Sequence, residues 1–299
     1  IILPVGGLLA HTVSDDAKGR AAGWYQAGNL GGTGLGGAAG LWLATHFSRG
    51  TAGSVLALAM IASGLSIFFV PDVRLAVTES IGQRLRLMGR DIKAMVTTAL
   101  PLFTIALVLS PIGAGAMNGL WSAVSGDWHA SADRVALVTG LLGGLVSAIG
   151  CIIGGWVADL RGRWWAYFGS GVALAAVAGF MAMAPLTPFT YSVGVLAYSL
   201  FCGMAYAAFS AIILFAIGRG VASTKYALLS SLGNIPVIYM TVFNGWVHDR
   251  HGVAWMLLSE AIVGLIASIA GFAALRAIAG RIGSRPRRGE SHLLTTIIK

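Results

Sequence analysis

Long apolar segments alternate with short polar connections along the whole chain. A helix needs about 20 apolar residues to cross a bilayer, and eight segments reach or approach that length. They cover residues 22–46, 53–70, 97–123, 134–158, 164–184, 190–217, 225–247 and 253–279, and an apolar stub covers residues 1–10. The pattern predicts an all-α membrane protein, a helical bundle of about eight full transmembrane helices with an N-terminal partial helix.

One connection is longer than the others. Residues 71–96 have the length and charge of a linker, and their apolar positions recur at the spacing of an amphipathic helix on the membrane surface. Those positions are Ile81, Leu85, Met88 and Ile92. Six predicted spans follow this linker, and two spans and the stub precede it.

Composition and charge placement exclude a soluble protein and argue against a nucleic-acid partner. Hydrophobic residues make up 57% of the 299 residues and charged residues 10%, whereas soluble domains carry about 25% charged residues. The net charge is +9, but 17 of the 20 Lys and Arg residues fall on one set of alternate connections and in the tail. Because Lys and Arg are retained in the cytoplasm, the stub, the linker and the C-terminus are predicted to be cytoplasmic.

Glycine and other small residues recur every fourth position in two predicted spans. Such rows leave a groove in which another helix backbone can approach closely. We expect spans 22–46 and 134–158 to cross through Gly32, Gly36, Gly144 and Ala148, although static packing and sliding would both produce this pattern. The full rows are Gly28, Gly32, Gly36 and Gly40; Gly140, Gly144 and Ala148; and Gly143, Ser147, Cys151 and Gly155.

Polar side chains inside apolar spans are the candidates for a solute pathway, because each is unfavourable in lipid unless it is paired or faces water. Hydrogen bonding between helices is the alternative role for the Asn and Tyr residues. Pro111 and Pro236 are expected to interrupt their helices and free carbonyl groups. The pathway candidates are Gln26, Asn29, Asn118, Trp121, Tyr198, Tyr206, Asn234 and Tyr239.

Other candidate chemistry is sparse. Glu260 is the only acid well inside a span, and a structural role is favoured over a proton site. Cys151 and Cys202 lie in apolar segments without metal-ligand spacing, and the six histidines form no metal pair at helical spacing. We therefore expect no metal, no cofactor and no enzyme activity. Five tryptophans near span ends are expected to anchor at the membrane interface: Trp24, Trp42, Trp128, Trp246 and Trp255.

The connection after residue 158 carries a motif. The stretch Gly155-Trp-Val-Ala-Asp159-Leu-Arg161-Gly162-Arg163-Trp164 resembles the cytoplasmic loop signature of the major facilitator superfamily, Gly-x-x-x-Asp-x-x-Gly-Arg followed by a basic residue. Trp164 replaces that basic residue. The resemblance implies that Gly155, Asp159, Arg161, Gly162 and Arg163 form a conformational gate, in which Asp159 would reach the N-terminus of span 225–247. Simple positive-inside anchoring is the alternative role for the two arginines.

The resemblance extends to the domain plan. Superfamily members have two six-helix halves joined by a cytoplasmic linker. On that plan residues 1–70 would be the remnant of an N-terminal half, with the end of its fourth helix and its fifth and sixth helices. Residues 71–96 would be the linker, 97–280 the C-terminal half and 281–299 a basic cytoplasmic tail. The chain would then be truncated at its N-terminus.

A finer resemblance concerns two more stretches. Asp15-Asp16-Ala-Lys18-Gly19-Arg20 resembles the loop before the superfamily's fifth helix, and Ser223–Leu232 with Gly245–Asp249 is similar to the eleventh helix of AmpG-like permeases, a branch that includes acetyl-CoA transporters. Bacterial members of that branch import muropeptides with protons. This implies a monomeric, proton-coupled secondary transporter of a small polar organic solute in a bacterial inner membrane, with the solute, protons and the lipid bilayer as its partners.

Three alternatives remain open at this point. The same fold could move another solute, such as a drug, a sugar or a siderophore, inward or outward. A membrane sensor or scaffold that transports nothing could share the fold. A membrane-embedded enzyme is the third possibility, without a catalytic motif to support it.

Overall fold

The structure, a computed structural model, describes residues 2–69, 99–113, 115–217 and 222–283, with the isolated positions 82–83, 86 and 89–90. Every regular element in these ranges is helical. Apart from those isolated positions, the predicted linker 71–96 lies outside the described residues, and so does the tail beyond residue 283. The four predicted amphipathic positions, Ile81, Leu85, Met88 and Ile92, are all outside them.

Three helices open the chain: α1 (Ile2–Thr12), α2 (Lys18–His46) and α3 (Arg49–Gly64), the last extended by a 3₁₀ turn over Leu65–Phe69. A sharp turn separates α2 from α3. Ser48 caps the N-terminus of α3, and its hydroxyl accepts a hydrogen bond from the Thr51 amide at 3.2 Å. These bounds lie within a few residues of the predicted stub and the first two spans.

The prediction of one continuous span over 97–123 is wrong. Helix α4 covers only Ala99–Val108, and short 3₁₀ turns follow at Ala116–Gly119 and Ser125–Trp128. Pro111 cannot donate a helical hydrogen bond, and Gly113 and Gly115 have φ of 61° and 65°, which no ordinary helix contains. Backbone groups freed by the break find side-chain partners, because the hydroxyls of Tyr167 and Tyr239 donate to the carbonyls of Ile112 and Leu109 at 2.8 and 3.0 Å.

Three long helices follow: α5 (Ala132–Leu160), α6 (Arg163–Met183) and α7 (Pro188–Ala216). Helix α5 contains a π-helical turn over Ala136–Leu142. Helix α7 begins with a capping box, in which Thr187 and Thr190 each accept the other's backbone N–H.

The last part of the bundle consists of α8 (Ala222–Leu232), α9 (Asn234–His251) and α10 (Val253–Gly283). Helices α8 and α9 form one span, Thr224–His251, interrupted at Gly233, three residues before Pro236. Proline lacks the N–H that would bond to the preceding turn, so an interruption on its N-terminal side is expected.

Within the described residues, five helices are long and apolar enough to cross a membrane: α5, α6, α7, the α8–α9 pair and α10. The described residues therefore do not confirm the predicted count of eight. Helix α3 is 16 residues long and α4 is 10 residues long, and α2 has 29 residues but is rich in glycine.

Helix α2 packs most extensively against α5 and also against α7, and α6 packs against α7 and α10. The α2–α5 contact depends on glycine. A Cβ atom on Gly34 would lie 2.6 Å from the Cα of Gly144, and one on Gly31 would lie 2.9 Å from the Cβ of Ala148. The two backbones therefore touch at positions where any side chain would collide.

The α2 row predicted for this contact is wrong. A Cβ atom on Gly28, Gly32 or Gly36 would meet nothing within 4 Å, and one on Gly40 would touch only Leu56 of α3. Helix α2 carries glycine on two faces, and the face with Gly19, Gly23, Gly31 and Gly34 meets α5. Because both faces satisfy the small-residue pattern, the spacing alone could not select between them.

Trp128 also departs from the sequence prediction. Trp24, Trp42, Trp246 and Trp255 are exposed on the bundle, as interface anchors would be, but Trp128 is fully buried. Its ring lies 6.3 Å from that of Trp121 and 5.8 Å from that of Tyr191. This cluster covers the irregular segment that follows α4.

Candidate functional site

A cavity of about 300 Å³ lies between α2, the irregular segment after α4, α5 and α7. Helix α2 supplies one wall and the other three elements supply the rest. Its polar lining consists of hydroxyl, amide and indole groups, and no named lining residue is ionisable. These polar lining residues are Thr33, Asn118, Trp121, Thr139, Ser147 and Ser199.

Small residues and an irregular helix create this space. Gly34, Gly37, Gly140, Gly143 and Gly144 line the cavity without side chains. The π-helical turn of α5 runs along the same wall, and π-bulges occur frequently at functional sites because they redirect the neighbouring side chains. The cavity therefore has a wall with few side chains and a small number of polar groups, and the latter feature is typical of small-molecule sites.

Two pathway candidates line this cavity. Asn118 donates from its amide to the Cys202 sulfur at 3.1 Å, and Trp121 packs its ring edge to face with Tyr198 at 5.4 Å. The indole N–H of Trp121 is buried and has no hydrogen-bond partner in the described part of the chain. A solute in the cavity could accept a hydrogen bond from this N–H group.

A second, smaller cavity of about 60 Å³ lies where the breaks after α4 and between α8 and α9 face each other. Its lining includes the pathway candidates Tyr206 and Asn234, together with Ser110, Tyr167 and Ser230. Interrupted helices bring unpaired backbone groups to such places. It is large enough for water or an ion but not for an organic solute.

The other four pathway candidates line neither cavity. Gln26 donates to the Ser210 hydroxyl of α7 at 2.6 Å and accepts from Asn29 at 3.1 Å. Tyr239 holds the Leu109 carbonyl, and Tyr198 contacts Glu260. These side chains make hydrogen bonds that join or brace helices.

Sequence reasoning did not select several hydroxyl side chains that line the cavity. Thr33 and Thr139 donate to carbonyls one turn back on their own helices, and Ser147 donates to the Ser199 carbonyl at 3.1 Å. Each is a small polar residue in an apolar span, and this is the feature by which the sequence could have identified it. Such residues are easily passed over because Ser and Thr commonly hydrogen-bond to a backbone carbonyl of their own helix.

A polar cluster lies behind Trp121. The Glu260 carboxylate of α10 accepts from the Tyr198 hydroxyl at 2.9 Å and from the Asn244 amide of α9 at 2.7 Å. The Asn244 amide also lies 3.7 Å from the Met117 sulfur. Three helices therefore meet at a carboxylate inside the bundle.

At the other end of the α2–α5 contact, Asp159 caps α2. Its carboxylate accepts from the backbone N–H groups of Gly19 and Arg20 at 2.7 and 2.9 Å and from the Arg20 guanidinium at 3.0 Å. The prediction that it reaches the N-terminus of span 225–247 is therefore wrong. A carboxylate at a helix N-terminus was expected, but the helix is α2, because Gly19 and Gly155 let the two backbones meet there.

Two cations surround this contact. Lys18 is buried, and its ammonium donates to the Leu214 carbonyl of α7 at 3.2 Å and pairs with Asp15 at 2.8 Å. The Arg163 guanidinium lies 3.8 Å above the ring of Phe215, also at the end of α7. In the loop between α1 and α2, the pKa of exposed Asp16 is below its ordinary value, chiefly because the Ser14 side chain hydrogen-bonds to its carboxylate.

Comparison with models of protein families matches residues 1–235 to the Major Facilitator Superfamily. The chain belongs to the major facilitator superfamily. It is a multi-pass membrane protein and a secondary transporter, in a superfamily whose members move small-molecule solutes and are not enzymes. Comparison with curated proteins finds none that matches.

The structure also places the other residues that the signature predicts to form a gate. Gly162 has φ of 98° and forms the tight turn between α5 and α6, and Arg161 is exposed at the end of α5. Trp164, where the superfamily signature has a basic residue, is 3% exposed and packs on Phe103 and Phe168. A basic side chain would be buried there, which explains the departure from the signature.

Proposed function

We propose that this chain carries out proton-coupled transport of a small polar organic solute through the cavity between α2, α5 and α7. The observation that carries the proposal is the cavity itself, which has uncharged polar walls contributed by helices from both sides of the 71–96 linker. A solute bound there would contact α2 on one side and α5 and α7 on the other. Movement between these helices would change its access.

The Asp159 contact is the proposed gate. It joins the last turn of α5 to the first turn of α2, so it exists only while those helices are together at that end. Breaking it would open the cavity toward that end without any direct contact with solute. Since a two-state protein responds to the difference in free energy between its states, a contact made in only one of them shifts the populations.

The glycine contact between α2 and α5 suits such a movement. Gly34 and Gly144 bring the backbones together without interlocking side chains. A surface of this kind presents little steric barrier to a small rotation, whereas interdigitated large side chains would have to separate. The same contact gives close packing in the closed state.

The domain plan and membrane placement form part of the proposal. Residues 1–70 would belong to one half, 71–96 to the linker, 97–280 to the other half and 281–299 to a basic tail. The positive-inside distribution supports a cytoplasmic position for the C-terminus and Asp159, and the proposed membrane is a bacterial inner membrane. The protein would act as a monomer surrounded by lipid.

Muropeptide uptake is the specific substrate hypothesis. It is supported by the similarity of Ser223–Leu232 and Gly245–Asp249 to AmpG-like permeases. The cavity lies at the lower end of the size range of small-molecule sites, about 300–1,000 Å³. It therefore favours a small polar group, such as the sugar of a muropeptide, as the part that binds between α2 and α5.

The test is uptake into vesicles that contain the purified full-length gene product. A labelled muropeptide is supplied outside under an imposed inward proton gradient, with and without a protonophore. Accumulation that the protonophore abolishes supports the proposal. A sugar, a siderophore and a cationic drug are the comparison solutes, and accumulation of one of these without muropeptide uptake would reassign the substrate. Absence of flux for all four would contradict the transport proposal.

A further inference from the structure

We infer that Glu260 is the group that binds and releases the transported proton. This inference rests on the proposed proton coupling. Glu260 lies on α10, a helix that contributes no residue to the cavity, and its carboxylate joins α10 to α7 and α9 through Tyr198 and Asn244.

Among the described residues, the carboxylate has hydrogen-bond donors but no counter-ion. Tyr198 and Asn244 are both uncharged donors, and no Lys, Arg or His forms an ion pair with Glu260 in the described part of the chain. The titratable groups near it on α7 are the Tyr198 hydroxyl and the Cys202 thiol. A carboxylate inside a membrane protein without a cation is unfavourable unless it can be neutralised, and taking up a proton neutralises it.

The cluster can satisfy Glu260 in both protonation states. With the carboxylate charged, the Asn244 amide nitrogen donates to it. The Asn244 amide oxygen is buried and has no partner among the described residues. Rotation of that amide would present the oxygen to a protonated Glu260, which could then donate to it. Asn244 therefore provides a donor for one state and an acceptor for the other.

The cluster is mechanically connected to the cavity. Tyr198, which donates to Glu260, packs edge to face against Trp121 at 5.4 Å, and Trp121 lines the cavity. A solute that moves Trp121 would move Tyr198 and alter the donor that stabilises the charged carboxylate. Protonation of Glu260 and occupancy of the cavity would then depend on each other.

A polar pair lies one helical turn from the cluster. On α9, four residues after Asn244, the imidazole of His248 contacts Asp127 at 2.8 Å, and it is partly exposed. Residues four apart share a helix face, so this pair continues the polar side of α9 toward its end. The charge distribution predicts that end to be external, where a proton would enter from water. After the conformational change the proton would leave Glu260 to water on the cytoplasmic side.

The experiment compares Glu260→Gln with the wild-type full-length gene product in vesicles. Glutamine keeps the shape and the hydrogen-bonding capacity of the side chain but cannot titrate. Asp133→Asn, at an exposed acid in the first turn of α5, is the matched control. The first measurement is the infrared difference spectrum between mildly acid and mildly alkaline buffer. The carbonyl band of a protonated carboxylic acid is expected in the wild type and in Asp133→Asn and is absent from Glu260→Gln.

The second measurement separates coupling from transport. A gradient of one pH unit supports up to about tenfold accumulation for one proton per solute. Glu260→Gln is expected to show no accumulation above equilibrium while exchanging labelled for unlabelled muropeptide across the membrane, because exchange needs no net proton movement. Loss of exchange together with accumulation would indicate a structural role and overturn the inference.

An infrared band that is absent from the wild type, or unchanged in Glu260→Gln, would also overturn it. If the wild type itself transports no muropeptide, the proposed substrate fails. The infrared comparison then decides by itself whether Glu260 binds a proton, because it requires no solute.

Discussion

The carboxylate of Asp159 lies 2.7 Å from the backbone nitrogen of Gly19, in the first turn of α2. The last turn of α5 thereby caps a helix that is 140 positions away in sequence. Gly19 allows this approach, since a side chain there would collide with the carboxylate and with the Gly155 carbonyl. The contact stabilises one arrangement of α2 against α5, which leads to the first prediction.

Asp159→Asn should reduce transport strongly and leave folding and membrane insertion nearly normal. The amide keeps one acceptor but loses the charge that interacts with the helix N-terminus and with Arg20. A partly exposed contact of this kind contributes about 1 kcal/mol, enough to shift a two-state population several-fold toward the cytoplasm-open form. Uptake at equal expression measures the effect, with Asp133→Asn as the control. Undiminished uptake would contradict the gate and leave Arg161 and Arg163 as topology signals only.

Gly34→Leu should separate α2 from α5, whereas Gly36→Leu should have little effect. A Cβ atom at position 34 would lie 2.6 Å from the Cα of Gly144, but one at position 36 meets nothing within 4 Å. Overpacking of a tight contact costs about 1–3 kcal/mol. The measurement is the thermal unfolding temperature of each variant in detergent. Gly36→Leu is a matched control because it lies two residues away on the same helix. Equal destabilisation by both would show that α2 presents a different face to α5.

Trp121→Phe should weaken solute binding more than Trp128→Phe does. Both indoles are buried, but only Trp121 lines the cavity. Removing a hydrogen bond from its N–H to a bound solute would cost about 0.5–1.5 kcal/mol, a rise in KM of about two- to tenfold. Trp128→Phe is the control, because it shows whether loss of any indole from this aromatic cluster is enough to raise the KM. A KM unchanged in Trp121→Phe would place the solute elsewhere.

Trp164→Arg, which restores the basic residue of the superfamily signature, should destabilise the protein. Trp164 is 3% exposed and packs on Phe103 and Phe168, so the guanidinium would be removed from water into an aromatic cluster, at a cost of several kcal/mol. Trp165→Arg is the matched control, because Trp165 is next to Trp164 in sequence and is 53% exposed. The yield of folded protein after detergent extraction distinguishes them. Normal yield of Trp164→Arg would mean that α4 and α6 can separate at this point.

The sequence predicts best those features that depend on a single helix, such as its bounds. The apolar segments gave helix bounds within a few residues for α2, α6, α7 and α10, because crossing a bilayer requires a long apolar run with its own backbone satisfied. The same rule failed for 97–123. Apolarity persists through that segment, but Pro111, Gly113 and Gly115 end α4, and Tyr167 and Tyr239 from other helices satisfy the freed carbonyls.

The candidate site was only partly predictable for a related reason. Polar residues within spans identified Asn118 and Trp121, which line the cavity, but the same criterion chose Gln26 and Tyr239, which bond across helices instead. A polar side chain in an apolar span needs a partner, and its sequence neighbours do not reveal whether that partner is a helix, water or a solute.

The sequence by itself determined that this is a polytopic membrane protein of the major facilitator superfamily, and the 1–235 match agrees with that. It also determined that Asp159 would suit a helix N-terminus and that α2 has small-residue faces. Only the tertiary structure decided that the helix is α2, that Gly34 and not Gly36 meets Gly144, and that Glu260 joins Tyr198 to Asn244. Burial in lipid acts on each segment separately and is visible in its composition, whereas a contact depends on two distant segments whose faces are matched only when the bundle packs.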